Sequence, residues 1–280
     1  MESVKRYPFE HLLIAATMLL TVLGFWDIYL GANAAPNPYH HLHVVTDFIW
    51  LFLLLYQLSL IGNKRYGDHR RAGLAVLVIG PLLFATTAML SVHSAHKGLV
   101  SGQGDFLIVQ NVMVTLELGL LILLAFVLRR RRKLHGSFIM STAILFMGIA
   151  LFFTLISWVP QYRILGPETF YRFETAAIAG QATCLVVGLL FFVKDFRNGW
   201  PFLLAGAFFF LNELIRSTLT KNQLIEPLTE FVGSIDQAFT FVGSFAVLLA
   251  LLAATGMLNS NRGGGAQDPE VESPTLDRPR

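Results

Sequence analysis

Histidines define the chemistry open to this chain. Five of its eight crowd two short stretches, Tyr39-His40-His41-Leu42-His43 and Ser91-Val92-His93-Ser94-Ala95-His96. Imidazole ligates metals and haem iron and exchanges protons near neutral pH. Asp47 follows His43 by four residues, one helical turn, where a carboxylate can orient the ring. His93 and His96 are three apart and share a helical face. Two such pairs on adjacent helices would offer three imidazoles and a carboxylate, a ligand set for zinc, copper or iron. The competing reading is a row of interfacial histidines wetted by water and headgroups, and it fits His40 and His41 best. His69 and His135 form a second, weaker set after basic runs; they are either turn residues or an inner haem or metal ligand pair.

Glu117 is the sharpest anomaly. It lies between Leu116 and Leu118, near the middle of an apolar block. An ionisable group at membrane depth costs about 2.5–3.5 kcal/mol on insertion scales, so it must face other helices, paired, protonated or hydrated. Glu213 and Arg216 are three apart and positioned to pair. With Asp27, Gln110, Asn111, Gln181, Asp236 and Gln237 they collect in one half of the apolar blocks, which suggests a hydrated cavity open to the outside. Glu117, Glu213, Arg216 and Asp236 would mark a proton or ligand path through it.

The elements that must position these residues are membrane helices. The 280 residues are 54% hydrophobic and 14% charged, against about 25% charged in soluble domains. Apolar blocks fall at roughly 11–30, 42–62, 74–96, 107–128, 137–159, 176–193, 200–217 and 231–258. Each is long enough to cross about 30 Å of hydrocarbon. The seventh is interrupted by Asn212, Glu213 and Arg216. The expected fold is an all-α polytopic membrane bundle of about eight helices, spanning residues 1–258, with a disordered cytoplasmic tail at 259–280 that holds Gly263-Gly264-Gly265 and three prolines.

Lysine and arginine alternate between loops. Lys5 and Arg6, Lys64 to Arg71, Arg129 to Lys133, and Lys194 with Arg197 fall on one side; the intervening loops carry few. The positive-inside rule then puts both termini in the cytoplasm. The basic loops read as topological, not as a nucleic-acid surface. Lys5-Arg6 followed by an apolar run could imitate a signal peptide, but that run exceeds a usual signal core and is expected to be a retained anchor. The one cysteine, Cys184, permits no internal disulfide. Soluble-enzyme signatures are missing: no nucleophile elbow, phosphate loop, His-Glu-x-x-His or Cys-x-x-Cys-His.

Two hairpins look alike, each with basic residues, one histidine (His69 or His135), a glycine and a new helix. Duplication or shared turn rules would both produce this. The same residues carry a resemblance. His43-Val44-Val45 opening a helix, Tyr56-Gln57, His69-Arg70-Arg71-Ala72-Gly73, Gly80-Pro81, and His135 before Met140 resemble the bacterial membrane proteins grouped as domain of unknown function 2306. The likeness covers about residues 40–160, the histidine-bearing core. A fainter similarity reaches haem-copper oxidase assembly proteins and transmembrane cytochromes b. Gly136 stands where that family carries a basic residue after its last histidine. The resemblance implies a bacterial cytoplasmic membrane protein that binds haem or a transition metal, acting in redox chemistry or oxidase assembly. Its partners would then be respiratory-chain proteins or a second copy of itself. A carrier of a small polar solute coupled to protons or ions, with Glu117 as the coupling acid, is the alternative reading. A non-catalytic membrane scaffold is a third.

Overall fold

Apolar runs bounded by prolines, glycines and basic turns form helices here and nothing else; no strand occurs among the described residues. The computed structural model describes residues 6–32, 34–102 and 104–261. Helix α1 is Pro8–Gly24, followed by a π-helical turn, Trp26–Leu30. Then come α2 Pro38–Gly62, the short α3 Tyr66–Gly73, α4 Val76–Ser101, α5 Ile108–Val127 and α6 Arg132–Trp158. The second half holds α7 Arg172–Lys194, α8 Trp200–Lys221, the short α9 Ile225–Gly233 and α10 Gln237–Asn261.

Among the described residues, seven helices (α2, α4, α5, α6, α7, α8 and α10) are long and apolar enough to cross a membrane. The chain is an integral membrane protein of the polytopic all-α type. The eight expected apolar blocks all form helices, the first of them shorter than the other seven. There α1 has 17 residues, and the chain widens into the π turn, where Gly31 N donates to Trp26 O at 2.9 Å. The eighth block differs at its start. The run from residue 231 is not one helix, because α9 ends at Gly233 and a new helix starts after Asp236. Asp236 Oδ1 accepts from Phe239 N at 2.7 Å, an N-cap that satisfies one of the orphan donors of a helix start. Helix α10 continues to Asn261, three residues into the expected tail. The remainder of that tail, and Lys5, lie outside the described residues.

Helix α6 is the most enclosed span and α10 the least. The core gathers Trp50, Leu51 and Leu54 of α2, Leu83 of α4, Leu118 and Ile122 of α5, and Phe138 and Ile144 of α6. Trp50 is fully buried, and its indole N–H donates to Thr142 Oγ1 at 3.0 Å. Helices α1 and α6 pack closely because Gly24 leaves room for the Ala150 carbonyl. Threonines stitch this crossing: Thr17 Oγ1 reaches Ala143 O at 3.3 Å, and Thr154 Oγ1 reaches Leu20 O at 3.3 Å. Close approach through small residues is the usual route to helix association in lipid, where apolar burial gives no driving force. Exposed apolar side chains on α10, such as Phe239, Val242 and Val247, are those a bilayer covers.

The basic loops meet at one end. Lys194 Nζ lies 2.6 Å from Glu10 Oε1, and Lys133 Nζ 3.7 Å from Asp195 Oδ2. The histidines of α2 and α4 lie at the other. Reporter fusions after Asn37 and after Asn259 are therefore expected on opposite sides of the membrane; finding both on one side would contradict this arrangement.

Candidate functional site

Asn37-Pro38 starts α2 and explains the first histidine. Asn37 Oδ1 accepts from Tyr39 N at 3.0 Å and His40 N at 3.1 Å. His40 Nδ1 returns the bond by accepting from Asn37 N at 3.2 Å. This is a reciprocal capping box with histidine in the place usually held by glutamate. Proline at the first helical position suits it, since its missing N–H would be unpaired there anyway. The same Asn37 donates from Nδ2 to His93 Nε2 at 3.0 Å. The Gln237 amide lies 3.4 Å from His93 Nδ1. One imidazole thus fastens the start of α2 and the start of α10 to the last turns of α4.

The remaining outer histidines take separate partners. His93 stacks edge-on with His40, ring centroids 5.5 Å apart. His43 Nδ1 sits 3.3 Å from Thr86 Oγ1, and Thr86 is also 3.0 Å from Thr46 Oγ1. His41 Nδ1 is 2.5 Å from the Tyr29 hydroxyl. His96 is exposed, with Nδ1 3.3 Å from Gly233 O. The rings His93 meets are those of Tyr39 and His40, and His96 turns toward α9. Among the described residues, no three His, Cys, Asp or Glu side chains converge as ligands for a metal ion.

The structure does bring the polar half-helix residues around one space. A cavity of about 1210 Å³ is walled by the π turn and by α2, α4, α5, α6, α7 and α8. Asp27, Gln110, Asn111, Gln181, Glu213 and Arg216 line it, as do His40, His43, Asp47, His93 and Lys97. Asp236 and His96 are not in its wall; Asp236 is the exposed cap of α10. Glu213 and Arg216 pair as their spacing implied. Arg216 Nε donates to Oε2 at 2.8 Å and its terminal nitrogen to Oε1 at 2.6 Å. A two-point guanidinium–carboxylate bond fixes orientation as well as charge.

Glu117 lies just behind this wall. It is 3% exposed, enclosed by helices as its depth required. Asn212, which lines the cavity, donates from Nδ2 to Glu117 Oε2 at 3.4 Å. Glu117 Oε1, Asn212 Oδ1, Asp47 Oδ1 and the Gln110 amide nitrogen are buried without a protein partner. Native proteins rarely leave such atoms unpaired, and where they do, the position calls for an explanation such as a functional role. Sequence reasoning missed Asn212 as the partner and Asn37 as the latch. Asn37 carried a signal, a capping residue before Pro38; Asn212, 95 residues from Glu117 in sequence, carried none.

At the basic end, His69 and His135 approach each other. His135 Nδ1 donates to Ala125 O at 2.9 Å. With its amide turned, Gln57 donates to His69 and accepts from Gly73 N at 2.8 Å. Burial first, then His135, then Arg70 hold the His69 imidazole below its ordinary value of 6.5. A depressed histidine favours its neutral form, so the unfolded chain binds the extra proton more readily. The contribution of His69 to stability is complete above about pH 6.5 and declines as pH falls below it. Melting of the detergent-purified protein should therefore occur at lower temperature at pH 5.5 than at pH 7.5. His69→Asn should flatten that dependence; parallel declines in both proteins would count against it. The two hairpins that look alike in sequence differ here, since the first folds its own helix α3 and the second is a tight turn at 128–131.

Fold and site together define a polytopic helical membrane protein with a largely apolar cavity, bearing a few polar groups, in the half away from its basic loops. Comparisons with family models, with curated proteins and with solved structures give no match.

Proposed function

We propose that this protein is a membrane carrier. It admits a small solute from the outside into the histidine-end cavity and couples the solute's movement to a proton held at Glu117. The observation that carries this reading is the shared Asn212. It lines the cavity on one side and donates to a buried carboxyl on the other. A change at the cavity wall can thus reach Glu117 through one side chain. The cavity suits solute binding, being somewhat larger than the roughly 300–1,000 Å³ of most small-molecule sites and mostly apolar with a few convergent polar groups.

The histidines support recognition of the solute more than metal or haem chemistry in redox reactions or oxidase assembly. His40 serves a cap, His93 a three-helix latch, His43 a threonine pair and His96 a backbone carbonyl. Purified protein in liposomes, given an imposed pH gradient and a panel of amines, carboxylates, sugars and phosphate, tests the proposal. At least one class should drive proton flux, and Glu117→Gln should remove that flux. If no class drives flux, the carrier reading fails.

A further inference from the structure

Six rings of the cavity wall form one continuous chain. Phe25 contacts Phe153 with centroids 4.9 Å apart, Phe153 contacts Phe152 at 5.3 Å, and Phe152 contacts Phe173 at 4.9 Å. Phe173 then stacks on Phe170 at 5.5 Å, and Phe170 meets Phe106 at 5.6 Å. The rings come from the π-turn junction, α6, the start of α7 and the loop before α5, so four separate stretches converge on this wall. All six line the cavity.

The charges in the same wall are mostly negative. Asp27, Asp47, Glu174 and Glu213 face Lys97 and Arg216. Arg216 is held by Glu213 through two short bonds, with Glu174 also 4.0 Å away, so its charge is already matched. Lys97 is at the exposed rim. Asp47 lies deeper, 6% exposed, with Oδ1 in no hydrogen bond. Asn212, 1% exposed, has a second unpartnered acceptor in Oδ1. A wall of aromatic rings with buried, unmatched acceptors suits a cation, because ring faces carry negative charge density and the attraction grows when water is excluded.

We infer that the cavity takes an organic cation with an apolar body, its charge directed to Asp47 and its body against the phenylalanine chain. The inference rests on the carrier reading and names its substrate class. Gln110 and Asn111, in the same wall, would orient a polar substituent.

Tetraphenylphosphonium and tetraphenylborate test it, being near-identical in shape and opposite in charge. Equilibrium dialysis against the detergent-purified full chain, corrected with empty micelles, should show saturable binding of the phosphonium. It should bind at least about tenfold more tightly than the borate. Asp47→Asn should weaken the phosphonium about tenfold or more without strengthening its dependence on Phe173. Phe173→Ala should weaken it several-fold, an independent variant if Asp47→Asn fails to fold. Equal or tighter binding of the borate overturns the inference while leaving a ligand cavity in place. Absence of phosphonium binding overturns it as well. In either case the solute panel in liposomes decides separately on the carrier reading, since another class of solute can still drive proton flux there.

Discussion

Glu117→Gln is expected to abolish coupled proton movement while leaving the bundle folded. Glutamine keeps an acceptor for the Asn212 amide, which donates to Glu117 Oε2 at 3.4 Å, and keeps the volume of the side chain. What it loses is the exchangeable proton. A charge at this depth costs about 2.5–3.5 kcal/mol on insertion scales, and among the described residues no cation pairs with Glu117. Coupling to an occupied cavity requires a buried carboxyl whose proton exchanges when its surroundings change. In liposomes with a trapped pH dye, solute-driven flux should drop to the level of protein-free vesicles. Binding of the solute should change by no more than a few-fold, because Glu117 is behind the wall and not in it. Glu117→Leu should add a loss of stability of about 1–3 kcal/mol, since the Asn212 amide is then buried with no acceptor. Full coupled flux in the glutamine variant would reduce Glu117 to a structural group.

The second large effect is on packing. Helices α7 and α8 approach through glycines on both sides. A Cβ at Gly206 would lie 2.5 Å from the Cys184 carbonyl oxygen, and one at Gly188 would lie 2.5 Å from the Phe202 carbonyl oxygen. These neighbours are backbone and cannot rotate away. Gly206→Leu is therefore expected to force the helices apart and to cost at or above the top of the roughly 1–3 kcal/mol usual for overpacking. Separation there also moves Asn212, six residues further along α8, so loss of the coupled flux should accompany loss of stability. Gly243→Leu on α10 is the matched control. A Cβ there meets nothing within 4 Å, and its melting temperature in detergent should stay that of the parent. Equal melting of the two variants would contradict the packing account.

Much of this was legible in the sequence, and the reasons differ by residue. Block lengths and the alternation of basic loops gave the helices, because membrane length and loop charge act locally. The collection of Asp27, Gln110, Asn111, Gln181, Glu213 and Arg216 into one cavity could be anticipated from depth alone. The Glu213–Arg216 pair followed from helical spacing. The direction of each histidine ring could not be read, since helices that are apolar all round give no face to compare. His43 was expected near at least one of His93 and His96; the partners of His93 are Asn37, Tyr39, His40 and Gln237, brought there by tertiary packing. The break at residues 234–236 was hidden inside an apolar run, although Asp236 before a helix is a capping signal. The aromatic chain was invisible because its six members come from four separate stretches of sequence.

The most direct test of the account is access to the cavity. Cys184 is the only cysteine and is buried, so a Cys184→Ala background is free of thiols. Gln181→Cys in that background places one thiol in the cavity wall. A membrane-impermeant maleimide should label it in right-side-out vesicles and not in inside-out vesicles. Labelling from the basic-loop side only, or from neither side, would contradict an outward-opening cavity and with it the proposed carrier.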